Sequence, residues 1–520
     1  MTPGDSVSVV RGRTLGVGVA VGLLFVGVAL GAVGDPQRVS LDNLGGDGAE
    51  AAQGAAVSAK GRWIAFTSVD PLTASATGGI VQLYVRDRVS GTTVLASTRG
   101  GVAADAPVDD ATDSRRYAIS GDGRYVVFAT QAANLATGEN DGAGRDVFRK
   151  DLVTGALLLV SHAAGGGAAN GLVAGDPDIS FDGSVVTYET GSATNLWPGD
   201  TDVGGDIIAY DVDTKSATLV SAASDGSPLT GVVQRSSISA DGNSVAFEHD
   251  GQIMVRDRKA AATVPGPVGG FADLSGDGRA LAFQGVAGDI RLSDPVSVVP
   301  TVVSATGAEP SISADGTRVG FATDVALVGG DTNGQTDVYV RRVGAAPQRI
   351  SQRGDATGVN RVSDRPAISA DGGAVAFTFD DGGAAQTLNP DDTDAALDVL
   401  VGEPGSTDSL GPVFSALRPL GGDALTGASV TVTGHVADPS GVVRVTVDAF
   451  PALIDVAKNF AVQVPALVGL TQLTLRATDG AGNVTERQIP VTRAEPQLPG
   501  IAPASRARSL KVVRSGRLTR

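Results

Sequence analysis

The chain has 520 residues, and 42% of them are hydrophobic. A chain of this length is too long for one ordinary core, so two or more domains are expected. A net charge of -17 excludes a typical nucleic-acid-binding protein, because phosphates are bound by Lys and Arg. The absence of cysteine excludes disulfides, thiolate metal sites and a Cys nucleophile, and only three histidines remain for a histidine-based site.

The first 34 residues have the pattern of an export signal. Arg11 and Arg13 precede an apolar run over residues 15–33, followed by small residues suited to signal-peptidase cleavage. The run is nearly long enough to span a bilayer, so an uncleaved membrane anchor is the alternative. We expect cleavage, because a β-like segment begins at residue 37 and an anchor would press it against the lipid. The protein is therefore expected to be secreted, periplasmic or associated with the cell wall.

One phrase recurs seven times along the next two thirds of the chain. It consists of a hydrophobic residue, Ser, any residue, Asp-Gly, and then an apolar stretch that ends in Phe or Tyr. Asp-Gly supplies the positive φ that a tight hairpin turn needs, and the apolar stretch predicts a strand buried on both faces. The first copy is degenerate, with Lys60 in place of Asp. The seven serines are Ser58, Ser120, Ser180, Ser239, Ser275, Ser313 and Ser369.

Most repeats continue with a third strand, a turn and a last strand that ends in Val-Ser or Ile-Ser. Four strands per repeat is the count of a propeller blade. The seventh repeat has its third strand at 398–401 but no last strand, whereas residues 38–40 read Arg-Val-Ser at the start of the mature chain. We therefore predict a seven-bladed β-propeller over residues 35–403 that is closed by the N-terminal strand. A solenoid is less suitable, since it would need a cap at each end.

These phrases resemble the TolB-like propeller repeat, a WD40-like repeat of bacterial extracytoplasmic proteins, over residues 37–403. The resemblance implies a periplasmic or cell-wall scaffold that binds other proteins and is not a catalyst. TolB itself has a different additional domain before its propeller, and this sequence shows no such segment. A TolB role in a Tol–Pal system is therefore not expected.

Four repeats carry an acidic loop between the second and third strands. Several oxygen side chains on a short loop could bind Ca²⁺, a hard cation. We favour the alternative, Asx-turns in which Asp and Asn bond their own backbone, because the loops lack the late bidentate Glu of an EF-hand. The loop at 139–146 is the least regular. The candidate calcium ligands, with the first three preferred, are Asp331, Asn333, Asp337, Asp200, Asp202, Asp206, Asp392, Asp394 and Asp398.

A Pro/Gly/Ser-rich linker at 404–412 separates the propeller from a second β-rich region. Alternating strands and an Ala-Thr-Asp-Gly-Ala-Gly-Asn turn resemble a bacterial Ig-like β-sandwich over 413–495, a type of module that acts as a spacer or adhesion unit. The basic tail at 496–520 is expected to be disordered. The alternatives for the tail are the stub of a further β-domain and contact with anionic wall polymer or lipid.

No catalytic arrangement stands out. His162 falls on an outer strand, His249 at the end of a second strand and His435 in the Ig-like region, and none adjoins a Gly-x-Ser-x-Gly motif. We predict a monomeric, non-enzymatic scaffold with no certain cofactor, which binds a protein or glycan of the cell envelope. It would bind no nucleic acid, and would meet the membrane only through an uncleaved N-terminal segment.

The alternative function is a propeller glycan hydrolase or lyase that uses carboxylates near the central channel. Asp is abundant, but most of these residues belong to the repeated turns. One active site needs one set of residues, so an acid that recurs in every blade is better explained by structure. Non-repeated acids and aromatics that converge in a central cleft would favour the enzyme, and a shallow face without them would favour the scaffold.

Overall fold

The computed structural model describes residues 35–46, 51–76, 78–108, 117–136, 144–200, 204–295, 299–353, 362–380, 388, 396–404, 412–437, 442–448, 450–455, 458–470, 472–479 and 484–493. Within these ranges every regular element is a β-strand. Seven four-stranded antiparallel sheets form the blades of a propeller, and an eight-stranded sheet follows them. The predicted all-β class and the predicted number of blades are confirmed. The described part of the chain has no helix with the length and apolar character needed to cross a bilayer.

Successive strands of a blade run outward from the ring axis, since the first strands of neighbouring blades contact one another. The chain starts with β1 (Gln37–Arg38). Blade 1 consists of β2 (Ala52–Val57), β3 (Trp63–Ser68), β4 (Gln82–Asp87) and β5 (Thr92–Leu95). A two-stranded ribbon, β6 (Thr98–Arg99) and β7 (Val102–Ala103), follows. Blade 2 consists of β8 (Tyr117–Ile119), β9 (Tyr125–Thr130), β10 (Asp146–Asp151) and β11 (Leu157–Leu159). Blade 3 consists of β12 (Val173–Ile179), β13 (Val185–Thr190), β14 (Ile207–Asp211) and β15 (Ser216–Leu219).

The remaining blades repeat this order. Blade 4 consists of β16 (Val233–Ile238), β17 (Ser244–His249), β18 (Gln252–Asp257) and β19 (Ala262–Val268). Blade 5 consists of β20 (Gly270–Leu274), β21 (Leu281–Gln284), β22 (Ile290–Ser293) and β23 (Thr301–Ser304). Blade 6 consists of β24 (Ala308–Ile312), β25 (Arg318–Thr323), β26 (Asp337–Arg342) and β27 (Pro347–Arg349). Blade 7 consists of β28 (Ser363–Ile368), β29 (Val375–Asp380), β30 (Leu397–Gly402) and the N-terminal β1.

The repeated Ser-x-Asp-Gly phrase forms the turn between the first two strands of each blade. In blade 3 the Ser180 hydroxyl donates to Asp182 Oδ1 at 2.9 Å and accepts the Val185 N–H at 3.0 Å. The glycine of every copy has a φ between 68° and 74°, which a residue with a Cβ rarely adopts. The turn is therefore determined by its own side chains and by the left-handed glycine.

The aromatic residue that ends each second-strand phrase fills the space between blades. All seven of these rings have no exposed surface, and burial of each stabilises the fold by roughly 1.5–3 kcal/mol. Three of them stack on an aromatic of the third strand, with centroids 5.8–6.1 Å apart. The seven residues are Phe66, Phe128, Tyr188, Phe247, Phe283, Phe321 and Phe377.

The seven turns are also joined to one another by backbone hydrogen bonds that form a closed ring. Each turn donates one N–H to a carbonyl of the next blade's turn, over distances of 2.8–3.4 Å. The variable position of the phrase is Ala or Gly in six copies and Phe181 in the third, and a Cβ on Gly121 would lie 2.1 Å from the ring of Phe181. The donor–acceptor pairs are Ala59–Gly121, Asp122–Phe181, Phe181–Ala240, Ala240–Gly276, Asp277–Ala314, Ala314–Ala370 and Asp371–Ala59.

The ring is closed by the N-terminal strand. Gln37 and Arg38 of β1 pair with Val401 and Leu400 of β30 in antiparallel register. The Arg38 guanidinium forms a buried ion pair with Asp398 at 3.1 Å, and the Ser40 hydroxyl donates to the same carboxylate at 2.6 Å. The N-terminal strand thus covers the outer edge of β30 and gives blade 7 four strands, as the other six blades have.

The C-terminal region is one curled eight-stranded sheet, compatible with a sandwich-like domain. Its spatial order is β31-β33-β36-β35-β34-β37-β38-β32. The strands are β31 (Val413–Arg418), β32 (Asp423–Ala424), β33 (Ser429–Ala437), β34 (Val442–Val447), β35 (Phe450–Ile454), β36 (Asn459–Pro465), β37 (Gln472–Asp479) and β38 (Val484–Thr492). β31 and β32 follow each other in the chain but lie at opposite edges of the sheet. The sheet therefore curls around a core that includes Phe414, Phe460 and Leu475. Arg487 Nη1 donates to the carbonyl of Ser90 in blade 1 at 2.8 Å.

Candidate functional site

The first strand of six blades contains a β-bulge four residues before the repeat serine. The bulge residue has a φ between 45° and 65°, and five of the six bulge residues have a side chain. Such a conformation costs about 1–2 kcal/mol for a residue with a Cβ, and a bulge turns its side chain in a new direction. In blade 2 the corresponding residue is Arg116, outside the described residues. The bulge residues are Gly54, Asp176, Arg235, Phe271, Glu309 and Arg365.

All six bulge residues line a cavity of ≈ 280 Å³ on the ring axis. We call this cavity the central channel; Tyr117 of blade 2 and a second layer that includes Asp178 and Asp273 line it too. The backbone geometry repeats from blade to blade, whereas the side chains at the bulge do not. A repeated scaffold that presents non-repeated charged and aromatic groups has the form of a recognition site.

Three channel carboxylates also hold neighbouring blades together. Asp178 Oδ2 accepts the Ile238 N–H of blade 4 at 2.9 Å, and Asp273 Oδ2 accepts the Ile312 N–H of blade 6 at 2.9 Å. Glu309 Oε2 accepts the Arg365 N–H of blade 7 at 2.8 Å. Part of the acceptor capacity of these acids is therefore used by the fold itself.

The Arg235 guanidinium lies against an aromatic ring and a buried acid. Its carbon is 4.3 Å from the centroid of Phe271, a cation–π distance, and Nη1 is 3.3 Å from Glu248 Oε2. Glu248 Oε1 accepts the Phe271 N–H at 2.6 Å, so one buried carboxylate orients both channel residues. The charge of Arg235 is thereby compensated within the channel wall.

The Arg365 guanidinium has a different environment. Nη1 donates to the neutral amide oxygen of Gln53 at 3.3 Å, and the side chain is partly exposed to the channel. Blade 1 beside it presents Gly54, where a Cβ would lie 2.4 Å from the hydroxyl oxygen of Tyr117. The absence of a side chain at Gly54 therefore leaves room for the Tyr117 hydroxyl.

The candidate calcium loops provide the aspartates that begin the third strands, and the structure shows what these residues contact. Asp206 Oδ1 accepts the Ser221 hydroxyl at 2.6 Å, Asp337 Oδ1 accepts that of Ser351, and Asp398 Oδ1 accepts that of Ser40. In each case the serine hydroxyl also accepts the N–H that follows the aspartate, at 3.0–3.2 Å. The serines are those of the Val-Ser and Ile-Ser strand ends, so in these three blades side chains join the end of the last strand to the start of the third strand.

In blade 6 a guanidinium lies between the preferred calcium ligands. Arg349 Nη1 is 3.4 Å from Asp331 Oδ1 and 3.6 Å from Asp337 Oδ2, and all three side chains are buried. The Tyr339 hydroxyl donates to Asp331, and Asn333 Nδ2 donates to Asp337 Oδ2 at 3.0 Å. Burial raises the pKa of Asp337 above its usual range, while the hydrogen bonds from Ser351 and Asn333 and the charge of Arg349 act in the opposite direction.

The other candidate ligands are not brought into a common cluster by the described part of the chain, which has no group of three His, Asp or Glu arranged to hold a metal ion. Asp200 lies partly buried in its loop. Asp202, Asp392 and Asp394 lie outside the described residues. Calcium binding therefore stays a prediction.

Two histidines have partners outside the channel. A ring nitrogen of His162 is 3.1 Å from the Tyr210 hydroxyl, and the other is 2.9 Å from the Ala163 carbonyl oxygen. His249 Nε2 is 2.9 Å from the Thr230 carbonyl oxygen. These contacts orient the His162 ring, which follows blade 2, against blade 3, and orient the His249 ring at the end of the second strand of blade 4.

Sequence reasoning missed the bulge residues, although a signal was available. Aligned on the repeat serine, the seven copies have Gly, Arg, Asp, Arg, Phe, Glu and Arg four residues earlier. The serine and the Asp-Gly are nearly constant, whereas the residue four positions before the serine varies. This variation indicates a position where the blades have different roles in function or in packing. Only the bulge shows that its side chain enters the channel.

Three solved structures are similar to this chain at low sequence identity. No family model matches the chain, and no curated protein matches it. An oligogalacturonate lyase in complex with manganese has 12% identity and a TM-score of 0.42, with coverage of 71% of this chain and 90% of that one. An oligogalacturonate lyase from Vibrio parahaemolyticus has 13% identity and a TM-score of 0.41, covering 71% and 91%. The β-propeller domain of Cps50 (Swd1) from Myceliophteria thermophila has 12% identity and a TM-score of 0.38, covering 72% and 99%.

Proposed function

We propose that this protein is a non-enzymatic binding scaffold of the cell envelope whose recognition site is the central channel. The observation that carries the proposal is the ring of bulge residues, where a repeated and strained backbone presents different side chains in different blades. The ligand is a protein or glycan of the envelope. Export through the N-terminal signal, a TolB-like character of the propeller and an Ig-like spacer role for the C-terminal sheet belong to this proposal.

The size of the channel favours recognition of a small group or of the end of a larger ligand. Small-molecule pockets begin at roughly 300 Å³, and the channel has ≈ 280 Å³. The use of Asp178, Asp273 and Glu309 in contacts between blades supports binding over catalysis, because a carboxylate that accepts a backbone N–H is less free to exchange protons.

A channel-filling variant tests the proposal. Ala118 lines the channel, and Ala118→Trp would occupy much of it. We expect the mature protein to retain envelope material in a pull-down and the variant to lose it. Ala345→Trp, at an exposed turn of blade 6, is the matched control and should bind as the wild type does. Equal retention by all three proteins, each with a wild-type far-UV spectrum, would show that the channel is not the binding site.

The second candidate is a glycan hydrolase or lyase. The observation in its favour is that Asp176 and Glu309 are non-repeated carboxylates in one cavity with Phe271 and Tyr117. Incubation of the protein with envelope glycans and analysis of the products for new reducing or unsaturated ends decides between the two. Product formation that is lost in Glu309→Gln would establish the enzyme in place of the scaffold.

A further inference from the structure

We infer that the ligand of the central channel carries a carboxylate that is bound by Arg365, and that it is an acidic sugar unit at the end of a glycan. This inference rests on the proposed function, since it takes the channel as the binding site. It goes further by assigning the charge of the ligand and the residue that recognises it.

The first step concerns how the other charged side chains of the channel are held by the fold. Arg235 is held by Glu248 and stacks on Phe271. Asp178, Asp273 and Glu309 accept backbone N–H groups of the following blade. These contacts hold the side chains in the wall of the channel, so we do not assign ligand binding to them.

The second step concerns Arg365. A guanidinium has five N–H donors in a planar fork, and its contact with Gln53 is long and involves a neutral oxygen. Glu309 accepts the backbone N–H of Arg365, and Asp364 is close enough for the guanidinium to oppose the rise of its pKa on burial. A ligand carboxylate matches the remaining donors with two parallel hydrogen bonds, which a hydroxyl or an amide cannot provide.

The third step concerns the rest of the ligand. Gly54, in the blade next to that of Arg365, has no side chain, and Tyr117 also lines the channel. Tyr117 donates its hydroxyl to the Gln53 carbonyl at 3.2 Å, which holds the ring in place. A cavity of ≈ 280 Å³ that is lined by a guanidinium and by aromatic residues suits one sugar ring that bears a carboxylate better than it suits an extended peptide.

Calorimetric titration tests this with short oligosaccharides that end in glucuronate and with the same compounds ending in glucose. We expect the wild type to bind the glucuronate series at least tenfold more tightly, and Arg365→Gln to lose at least tenfold for glucuronate and little for glucose. Arg279→Gln, at an exposed turn of blade 5, is the matched control and should keep the preference. Because Arg365 is partly exposed and its substitution keeps the bond to Gln53 possible, a folded variant is expected; a circular dichroism spectrum and melting temperature like those of the wild type verify this.

The outcomes separate this inference from the proposed function. If Ala118→Trp abolishes capture of envelope material while Arg365→Gln does not, the channel binds a ligand but the assignment to Arg365 is wrong. Equal affinity for the glucuronate and glucose series, or no heat with either, overturns the acidic sugar. Loss of the preference in Arg365→Gln with its retention in Arg279→Gln supports the inference.

Discussion

Substitution of Arg349 by Met tests how the acidic loop of blade 6 is neutralised. The guanidinium is fully buried, 3.4 Å from Asp331 and 3.6 Å from Asp337, whose side chains are 2% and 1% exposed. Removal of one member of a buried charge cluster costs roughly 3–5 kcal/mol, because the partners keep their desolvation penalty. Both distances exceed that of a short hydrogen bond, so we expect about 3 kcal/mol, at the lower end of this range. Met preserves most of the apolar volume of the side chain.

The pH dependence identifies the cause of the loss. Burial already raises the pKa of Asp337 above its usual range, and Arg349 opposes that rise, so its removal should raise the pKa further. A carboxyl whose folded-state pKa is above its unfolded value takes up a proton on folding. Its unfavourable effect is therefore present at neutral pH and disappears as the pH falls through the folded-state pKa. The stability gap between wild type and Arg349→Met should be largest near pH 7 and shrink towards the ordinary Asp pKa of about 3.9.

Urea denaturation at a series of pH values measures the gap, with m-values compared to confirm an unchanged unfolding transition. Arg342→Met, at an exposed end of the same blade, is the control and should change stability by less than about 0.5 kcal/mol. A gap that is independent of pH would mean that lost packing, and not uncompensated charge, is the cause. Calcium that stabilises Arg349→Met but leaves the wild type unchanged would show that the guanidinium occupies a potential cation site; a chelator that lowers the melting temperature of the wild type would instead support calcium in the native loops.

Two further predictions concern closure and turns. Ser40→Ala removes the hydroxyl that links the N-terminal segment to Asp398 and should lower the free energy of unfolding by about 1–3 kcal/mol. Hydrogen exchange should accelerate at the Val399 amide. It should not accelerate there in the control Ser221→Ala, which loses the equivalent contact in blade 3. Unchanged exchange at Val399 would contradict the role of Ser40. Gly123→Ala should be about 1–3 kcal/mol less stable than Gly251→Ala in thermal or urea unfolding, because both glycines have positive φ but only the Cβ at 123 meets a neighbour, Trp63 at 2.1 Å. Similar losses in both variants would show that backbone strain alone decides.

The sequence by itself determined the class of the fold and the number of blades. The Ser-x-Asp-Gly phrase acts within about six residues, where the left-handed glycine and the Asp side chain decide the turn. Interactions between residues this close in the chain can be predicted from the sequence. The spare Arg-Val-Ser segment at 38–40 was visible for the same reason, since each blade needs four strands.

Tertiary structure alone decided where the functional groups lie. Whether Arg235 or Arg365 enters the channel depends on a bulge in the first strand, a feature of register that an alternating pattern does not show. The pairing of Arg349 with the loop acids joins the last strand of blade 6 to the loop before the third strand, and the order of the C-terminal strands is set by pairings far apart in the chain. Side-chain charges can be counted from the sequence, but their partners depend on distances that exist only after the blades have packed together.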